Sequence, residues 1–238
     1  MSNGGGNRAA SCDGPARAVV IVSGGLDSIT LVYHLLAQGT WVRMLSADYG
    51  QRHVRELDCA RRVAAALGLE HQVADLRALG PLLAGSALTD PGVAVPDGDY
   101  RDESMKVTVV PNRNALLLDV AVAVAVTAGC DAVAFGAHGG DHPVYPDCRP
   151  EFVAAFEASA RLATAGFVPP GFRVLAPFVA MSKADIVLLG SGYGVPFEDT
   201  WSCYNGGERH CGTCGTCTER RVAFTLAGLP DPTRYETA

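Results

Sequence analysis

The short segment with the clearest chemistry is the hexapeptide SGGLDS at residues 23–28, which directly follows an apolar, β-branched run at 18–22. A strand that turns through glycines into a helix leaves backbone N–H groups and the positive end of the helix dipole facing outward, and these bind anions. The hydroxyls of Ser23 and Ser28 add donors, and Asp27 is placed to hold Mg²⁺ on a phosphate. The segment therefore predicts a phosphate site. The alternative is a plain turn in which Asp27 or Ser28 caps the helix.

Four cysteines form a second chemical pattern, C-x7-C-x2-C-x2-C, at Cys203, Cys211, Cys214 and Cys217. Four thiolates at this spacing, with glycines between them, favour one tetrahedral zinc ion. Because all four coordination positions would be filled, such a zinc is structural. An iron–sulfur cluster is the alternative, although the bacterial C-x2-C-x2-C-x3-C-P run is absent. Free buried thiols are the remaining possibility.

Hydrophobic periodicity predicts the elements that position these two patterns. The apolar runs that read as strands are 18–22, 42–47, 71–74, 132–137 and 173–175. The segments that read as helices are 26–38, 53–67, 114–128, 150–164, 183–189 and 218–227. Mostly apolar strands alternating with helices predict an α/β fold. The predicted architecture is a Rossmann-like parallel five-stranded sheet with helices on both faces and a small C-terminal zinc-binding segment.

The predicted domain organisation has three parts. Residues 1–16 are a disordered N-terminal lead, 17–199 are the α/β domain, and 200–238 are a zinc-binding segment packed on that domain. Residues 76–110 interrupt the rhythm with glycines, prolines and charges, and we interpret them as a long loop or lid.

Composition limits the class of protein. The 238 residues are 48% hydrophobic and 18% charged with a formal charge of −6, which excludes a mainly disordered chain and gives no global reason to bind nucleic acid or an acidic membrane. Residues 1–16 lack the apolar core of a signal peptide, and the longest apolar stretch, 115–128, is too short to span a bilayer. We expect a cytoplasmic protein, in which reduced thiols bind metal rather than form disulfides.

Five further segments extend the pattern between and around these two sites. They are DYGQRH at 48–53, VPNRN at 110–114, YPDCRPEF at 145–152, the segment 177–186 containing Ser182-Lys183, and TWSCYN at 200–205. The hexapeptide itself resembles the pyrophosphate loop (PP-loop) of the ATP pyrophosphatases, and it is neither a Walker-type P-loop nor a G-x-G-x-x-G motif. Taken in order from residue 18 to 228, the chain closely resembles the 7-cyano-7-deazaguanine synthase family.

The resemblance implies an ATP-dependent ligase of queuosine or other 7-deazapurine biosynthesis. The carboxylate of 7-carboxy-7-deazaguanine is adenylated, ammonia displaces AMP to give the amide, and a second adenylation on the amide oxygen leads to the nitrile, preQ0. It also implies ATP as cosubstrate, Mg²⁺, one structural Zn²⁺ and a homodimer, with small-molecule partners only. The implied ATP-binding residues are Ile21, Val22, Ser23, Gly24, Gly25, Leu26, Asp27, Ser28, Ile29, Thr30, Leu31 and Asp48.

Lys183 is the second candidate catalytic residue beside Asp27. It is one of two lysines in the chain and begins a predicted helix, where a cation gains nothing from the helix dipole. We interpret it as the cation that balances charge developing on the phosphates. The alternative is a solvated lysine at a helix start.

Four charged residues are candidates for substrate recognition. Asp147 or Glu151 would accept hydrogen bonds from the guanine-like edge, and Arg113 or Arg149 would hold the substrate carboxylate. The alternative is a loop of exposed ion pairs, such as Asp147 with Arg149.

Aromatic rings and one thiol complete the candidates. Tyr49, Tyr145 and Trp201 are expected to stack on a base. Cys148 lies inside the YPDCRPEF segment, and we predict that it packs rather than reacts, since no base near it in sequence would lower its pKa.

Two departures from the family pattern affect the substrate more than the chemistry. Asn112 stands where the family has glycine, and asparagine tolerates positive φ. His138 and His142 are extra imidazoles that either bind a metal or substrate or are satisfied hydrogen-bonders. Competing hypotheses are a relative that stops at the amide or adenylate and transfers the deazaguanine to another acceptor, a tRNA-thiolating enzyme, and a zinc-bearing nucleic-acid module.

Overall fold

A computed structural model describes residues 14–99 and 103–236 and contains one five-stranded parallel sheet. The strands are β1 (Arg17–Ile21), β2 (Trp41–Asp48), β3 (His71–Asp75), β4 (Ala132–Ala134) and β5 (Arg173–Leu175). Their order across the sheet is β3-β2-β1-β4-β5. In the central strand, Val20 lies between Met44 of β2 and Ala134 of β4. The predicted α/β class and the predicted five-stranded parallel sheet are confirmed.

Helices cover both faces of this sheet. They are α1 (Leu26–Ala37), α2 (Glu56–Leu67), α3 (Arg113–Ala128), α4 (Pro150–Ala163), α5 (Lys183–Tyr193) and α6 (Gly215–Leu226). On one face, Val20 and Met44 pack with apolar residues of α1, α2, α5 and α6. On the other face, Val19 and Leu45 pack with α3 and α4. The residues of β1 therefore alternate between two buried clusters, as a central parallel strand requires.

The chain order creates a switch point beside β1. The chain builds β1, β2 and β3 outward in one direction and then returns to place β4 on the other side of β1. At such a point the loops that follow the two strands diverge and leave a crevice at the carboxyl edge of the sheet. The backbone is close here, because a Cβ added to Gly136 after β4 would lie 3.2 Å from the Ser28 nitrogen.

Several predicted boundaries differ from the observed ones. Helix α2 begins at Glu56 rather than His53 because residues 53–58 form i→i+3 hydrogen bonds, such as Glu56 N–H to the His53 carbonyl (3.0 Å). Strand β4 ends at Ala134 rather than at residue 137, and Gly136 after it packs against the start of α1. Helix α5 continues to Tyr193 and stops at the left-handed Gly194. Helix α6 begins three residues earlier than predicted and so includes Cys217.

The segment 76–110 lies outside the sheet and is held down by buried residues. It contains two 3-10 helices, Arg77–Leu83 and Glu103–Thr108. Within its described part, Ala87, Leu88 and Met105 are buried, and the backbone of Asp97 forms an isolated β-bridge with that of Cys214 in the C-terminal segment. The predicted lead falls mostly on residues 1–13, which lie outside the described residues.

The stretch Met105–Ala128 is long and apolar enough to cross a membrane by length and composition, a test that core helices also pass. Its helical part, α3, begins only at Arg113, after Asn112 adopts a left-handed conformation (φ 59°). Leu118, Ala121 and Ala125 of α3 pack against the sheet. The geometry is that of a core helix, as the sequence predicts for 115–128.

Candidate active site and metal centre

A cavity of about 210 Å³ opens at the carboxyl edge of the sheet, at the switch point. Ends of strands, starts of helices and the C-terminal segment all contribute to its wall. Residues that line it include Ile21, Val22, Ser23, Gly25, Leu26, Asp27, Ser28, Tyr49, His53, Glu56, Arg113, Asn114, Asp141, Tyr145, Cys148, Lys183, Trp201 and Tyr204. The cavity therefore unites the hexapeptide with most of the other segments that the sequence singles out.

The glycine loop of residues 23–28 is held against helix α2. Gly24 has a φ of +95°, and a Cβ at this position would lie 2.0 Å from the Glu56 carbonyl oxygen. Only glycine meets both the conformation and the close approach. Gly25 is the N-cap of α1 and offers no side-chain cap, so the helix begins with open N–H groups.

Two serine hydroxyls organise the loop from inside. Gly25 N–H donates to Ser23 Oγ (3.2 Å), and Gly24 N–H approaches Ser28 Oγ (3.3 Å). The two hydroxyls are themselves 3.2 Å apart. These groups converge on one point at the positive end of α1, an arrangement suited to phosphate oxygens.

The Lys183 side chain lines the cavity and contacts Asp27 of the glycine loop. Its Nζ lies 3.1 Å from Asp27 Oδ2 and donates to Glu219 Oε2 at 2.7 Å. Burial acts to lower the pKa of Lys183, but the carboxylates of Asp27, Glu219 and Asp141 outweigh it and hold the pKa above its ordinary value. Burial acts to raise the pKa of Asp27, and the nearby Lys183 ammonium brings the net shift below the ordinary value. Lys183 is thus a fixed cation and Asp27 a fixed anion.

His138 joins the same network from the loop after β4. Gly140 N–H donates to Nδ1 of its imidazole (3.0 Å), and the other ring nitrogen, Nε2, lies 3.4 Å from Lys183 Nζ. That nitrogen faces Asp141 Oδ1 (3.4 Å) and Asp27 Oδ2 (3.9 Å). Of the two extra histidines, His138 is therefore part of the charged cluster, although neither of them is among the cavity-lining residues.

The four cysteines of the C-terminal segment converge as the spacing predicts. The sulfurs of Cys203, Cys211, Cys214 and Cys217 all lie within 4.8 Å of one another and could hold a metal ion. The Cys211 and Cys217 sulfurs are 3.9 Å apart, close to the roughly 3.8 Å edge of a tetrahedron with zinc–sulfur bonds of about 2.3 Å. The N–H groups of Cys211 and Cys214 point at ligand sulfurs (3.4 and 3.3 Å), as donors to thiolates do. The residues present fit a closed four-sulfur site.

The segment that carries the four cysteines also forms part of the cavity wall. The backbone N–H of Trp201 donates to the Gly24 carbonyl (2.9 Å), which connects the segment to the glycine loop. Helix α6 carries the ligand Cys217 and, two residues later, Glu219, which holds Lys183. The fully buried Arg220 donates to Thr200 Oγ1 (2.7 Å) and to the Phe197 carbonyl (2.9 Å), which fixes the approach to Trp201. The four-cysteine segment and the glycine loop are therefore joined by direct contacts.

The opposite end of the cavity presents one cation among hydroxyl groups. Arg113, the first residue of α3, is surrounded by Tyr49, Tyr145 and Tyr204. Burial acts to lower the pKa of Arg113, yet the net shift is well above its ordinary value because of these neighbours. Tyr145 OH is within 2.7 Å of Thr108 Oγ1 and 3.4 Å of Tyr204 OH. This end can hold a carboxylate or a polar heterocycle.

Cys148 lines the cavity, and its surroundings favour the protonated thiol. Burial raises the pKa of its thiol, and the carboxylates of Asp141 and Asp147 act in the same direction. Asn114 Nδ2 donates to its sulfur (3.2 Å). The arrangement favours the predicted packing role over a nucleophilic one.

The other predicted substrate residues lie outside the cavity wall. Asp147 accepts the Asn114 backbone N–H (2.9 Å) at the start of α3, and Arg149 donates to the His142 carbonyl (3.0 Å). Glu151 is exposed in the first turn of α4. The structure thus brings Arg113 to the site and gives Asp147 and Arg149 contacts that support it.

Some of the predicted ATP-binding residues lie away from the cavity. Ile29 and Leu31 of α1 are buried in the hydrophobic core. Thr30 packs against Gly190 of α5, and its buried hydroxyl has no hydrogen-bond partner among the described residues. Asp48 accepts the Gly50 N–H (3.1 Å) and caps a turn after β2.

The sequence reasoning missed several residues of the cavity and its charged network, among them His53, Glu56, Tyr204 and Glu219. His53 and Tyr204 lie inside the DYGQRH and TWSCYN segments, so these segments already indicate that the two residues belong to the site. Glu56 and Glu219 lie three residues past DYGQRH and two residues past the last cysteine. Their inward direction depends on the starts of α2 and α6, which were predicted three residues early and three residues late.

Comparison with known proteins decides the family. The model of a family described as queuosine biosynthesis protein QueC matches residues 17–228. The chain belongs to the QueC family. Relatives named 7-cyano-7-deazaguanine synthase from Brucella ovis, Brucella suis and Brucella abortus are each 54% identical over 222 residues, covering 93% of this chain and 94% of theirs. The family resemblance drawn from the motifs is confirmed.

A solved structure shares the fold of this QueC-family chain. It is described as NMN synthetase from Francisella tularensis and aligns with a TM-score of 0.50 at 15% identity, covering 91% of this chain and 79% of that chain. At this identity the likeness shows the fold alone.

Proposed function

We propose that this QueC-family protein is a 7-cyano-7-deazaguanine synthase, an ATP-dependent ligase that converts 7-carboxy-7-deazaguanine and ammonia to preQ0. The observation that carries the proposal is that one cavity contains the glycine loop, Lys183 and Arg113 in a chain 54% identical to proteins with that name. The reaction activates an oxygen of the substrate twice by adenylation, first on the carboxylate and then on the amide. Ammonia displaces the first AMP, and the second AMP leaves as the nitrile forms.

The glycine loop would bind the β- and γ-phosphates of ATP, which leave as pyrophosphate. The open N–H groups of α1 and the hydroxyls of Ser23 and Ser28 converge there. Lys183, held at 3.1 Å from Asp27, would balance the charge that grows on the phosphates as the bond to the α-phosphorus breaks. Because the cation is held by fixed carboxylates, little reorganisation is needed when the charge develops.

Asp27 is the candidate ligand for Mg²⁺. Its Oδ2 faces Lys183, whereas its Oδ1 is buried and has no hydrogen-bond partner among the described residues. An orphaned carboxylate oxygen beside a phosphate loop suits a hard divalent cation. When bound, Mg²⁺ supplies Lewis-acid polarisation of the phosphates.

Zinc is the ion that we propose for the four-cysteine site, with a structural role. All four positions would be taken by thiolates, which leaves no place for a reacting water. Its effect on activity would be indirect, through α6 and Glu219.

Arg113 is the proposed recognition residue for the anionic or polar part of the deazaguanine, with Tyr49, Tyr145 and Tyr204 around it. A guanidinium binds carboxylate in two parallel hydrogen bonds, which orients a planar substrate. We further propose that the protein works in the cytoplasm, as a homodimer, on small molecules alone.

One assay tests the proposed function. Metal-loaded protein is incubated with Mg-ATP, ammonium and 7-carboxy-7-deazaguanine, and AMP is quantified together with the mass of the purine. We expect conversion of acid to nitrile with two AMP per nitrile. AMP at background level would overturn the proposal. Accumulation of the amide with one AMP would identify the relative that stops before the nitrile.

A further inference from the structure

Glu56 is a buried carboxyl group in the cavity that the activation chemistry leaves unused. It is the first residue of α2, is 7% exposed and lines the cavity. Its own backbone carbonyl packs against Gly24, where an added Cβ would lie 2.0 Å away. The residue is thus anchored directly on the glycine loop that would hold the leaving pyrophosphate.

The partners of Glu56 are neutral. Gln51 Nε2 donates to Glu56 Oε1 (3.2 Å), and His53 Nε2 lies 3.5 Å from the same oxygen. Burial lowers the pKa of His53 to about 3, so this imidazole carries no charge near pH 7. Among the described residues no lysine or arginine pairs with Glu56 within 4 Å, although Arg113 lines the same cavity.

Burial raises the pKa of Glu56 to about 8, against the lowering effects of the Gln51 hydrogen bond and the Arg113 guanidinium. The titratable groups that face it are Arg113 at the start of α3, His53 before α2, and Tyr49 after β2. Cys59, one turn along α2, also feels its charge. A carboxyl group that titrates near the working pH serves well in proton transfer.

The proposed reaction needs a proton acceptor, and the present inference rests on that proposed function. An amide nitrogen carries two N–H protons, and a nitrile nitrogen carries none. One proton leaves as the amide oxygen attacks the α-phosphorus and the bond to pyrophosphate breaks. The second leaves as the C–O bond to AMP breaks and the C≡N bond forms.

Three other groups of the cavity are poorer acceptors for these protons. Asp27 is paired with Lys183, which together with His138 brings its pKa below the ordinary value despite burial. The Cys148 thiol stays protonated because burial raises its pKa. The low pKa of His53 makes its imidazole a weak base.

We propose that Glu56 is the general base of the nitrile-forming step. Its carboxylate takes the N–H proton of the adenylated amide, the electron pair of that bond forms the third C–N bond, and AMP leaves with the C–O electron pair. The protonated carboxyl then returns its proton to solvent before the next turnover.

The test uses the metal-loaded enzyme with Mg-ATP and the amide of 7-carboxy-7-deazaguanine as substrate. Starting from the amide isolates the second activation and removes the ionisation of ammonium from the pH profile. We expect Glu56→Gln to lower kcat for nitrile formation at least 100-fold with KM for the amide changed less than threefold. The glutamine keeps a carbonyl oxygen for Gln51, and Glu56→Asp should retain part of the rate. The exposed Glu198→Gln is the matched control and should stay within twofold of the wild type.

The pH dependence of wild-type kcat gives a second readout. Below about pH 8 wild-type kcat should fall about tenfold per pH unit as the carboxylate takes up a proton, and Glu56→Gln should lack this limb. A wild-type profile that is flat from pH 6.5 to 9 would overturn the proposal, whether or not the variant folds. So would a variant with unchanged kcat and a KM raised tenfold, which would make Glu56 a recognition residue for the N–H edge of the substrate. A wild-type enzyme that releases no AMP from either acid or amide would instead refute the proposed function itself.

Discussion

Replacement of Lys183 by methionine tests the charged network that joins the glycine loop to helix α6. The lysine side chain is 12% exposed, and its Nζ lies 3.1 Å from Asp27 and 2.7 Å from Glu219. Methionine fills a similar volume without the charge, so the carboxylates of Asp27, Glu219 and Asp141 are left in a buried site without their ammonium. We expect loss of both stability and ATP-dependent activity.

The size of the stability loss follows from the burial of the pair. Removing one member of a buried ion pair costs about 3–5 kcal/mol, because the remaining charge is left uncompensated. For a domain of this size each kcal/mol shifts Tm by about 2–4 °C, so Tm should fall by about 6–20 °C. Replacing Glu219 by glutamine should cost less, since Asp27 still pairs with Lys183.

The sign of the pH dependence is fixed by the same contacts. Burial acts to lower the pKa of Lys183, and the surrounding carboxylates hold it above 10.5 in the folded protein, so its contribution is fully present below that pH. In the methionine variant the stranded carboxylates relieve their repulsion by binding protons. Glu219 should do so first, since burial already raises its pKa. The deficit relative to wild type should therefore narrow as the pH falls from 7 towards 5.

The measurement is urea unfolding of metal-loaded protein at pH 5 and pH 7, together with AMP release under Mg-ATP. Lys106, the only other lysine of the chain, is exposed, and Lys106→Met is the matched control. A Lys183→Met protein within 1 kcal/mol of wild type at pH 7, with AMP release within threefold, would refute this account of the network.

Three further predictions concern the loop, the metal and the free thiol. Gly24→Ala should abolish AMP release and destabilise the fold, because the added Cβ meets the Glu56 carbonyl at 2.0 Å; Gly129→Ala, also at positive φ but with nothing within 4 Å, should cost only about 1 kcal/mol in a melting curve. Cys203→Ser should lower metal content, measured by mass spectrometry, and AMP release together; AMP release at wild-type level in a metal-free protein would contradict the coupling through α6. Cys148→Ser should keep at least a third of the nitrile-forming rate, since the thiol is protonated at pH 7; a 100-fold loss would show that the sulfur takes part in the chemistry.

The sequence alone predicts the sheet and the two chemical patterns because each depends on local signals. Apolar β-branched runs mark the strands, and the glycine turn after 18–22 needs no distant residue to be recognised. The spacing of the four cysteines likewise predicts a single metal ion from a short stretch of sequence. Asn112 illustrates the same rule, since its positive φ follows from residue type and its place before α3.

The inner wall of the cavity depends on contacts that no local pattern encodes. Glu219 faces Lys183 across 36 positions of sequence, and Glu56 faces the glycine loop only because the chain after β2 turns in 3-10 fashion before α2 begins. Asp147, whose carboxylate in the YPDCRPEF segment predicts an acceptor for the guanine-like edge, instead accepts the Asn114 backbone N–H at the start of α3. Charge type alone cannot separate these uses of a carboxylate.

The backbone hydrogen bond between Trp201 and Gly24 forms late in the synthesis of the chain. The two residues lie 177 positions apart, and Lys183 meets Glu219 later still along the chain. At about 5–20 residues per second, the ribosome needs roughly 10–40 s between the glycine loop and the segment that completes it. A nascent chain therefore carries the glycine loop without its Trp201 contact, and Lys183 without Glu219, for most of its synthesis. Under the proposed function, ATP cleavage would begin only after residues 201–219 have been made.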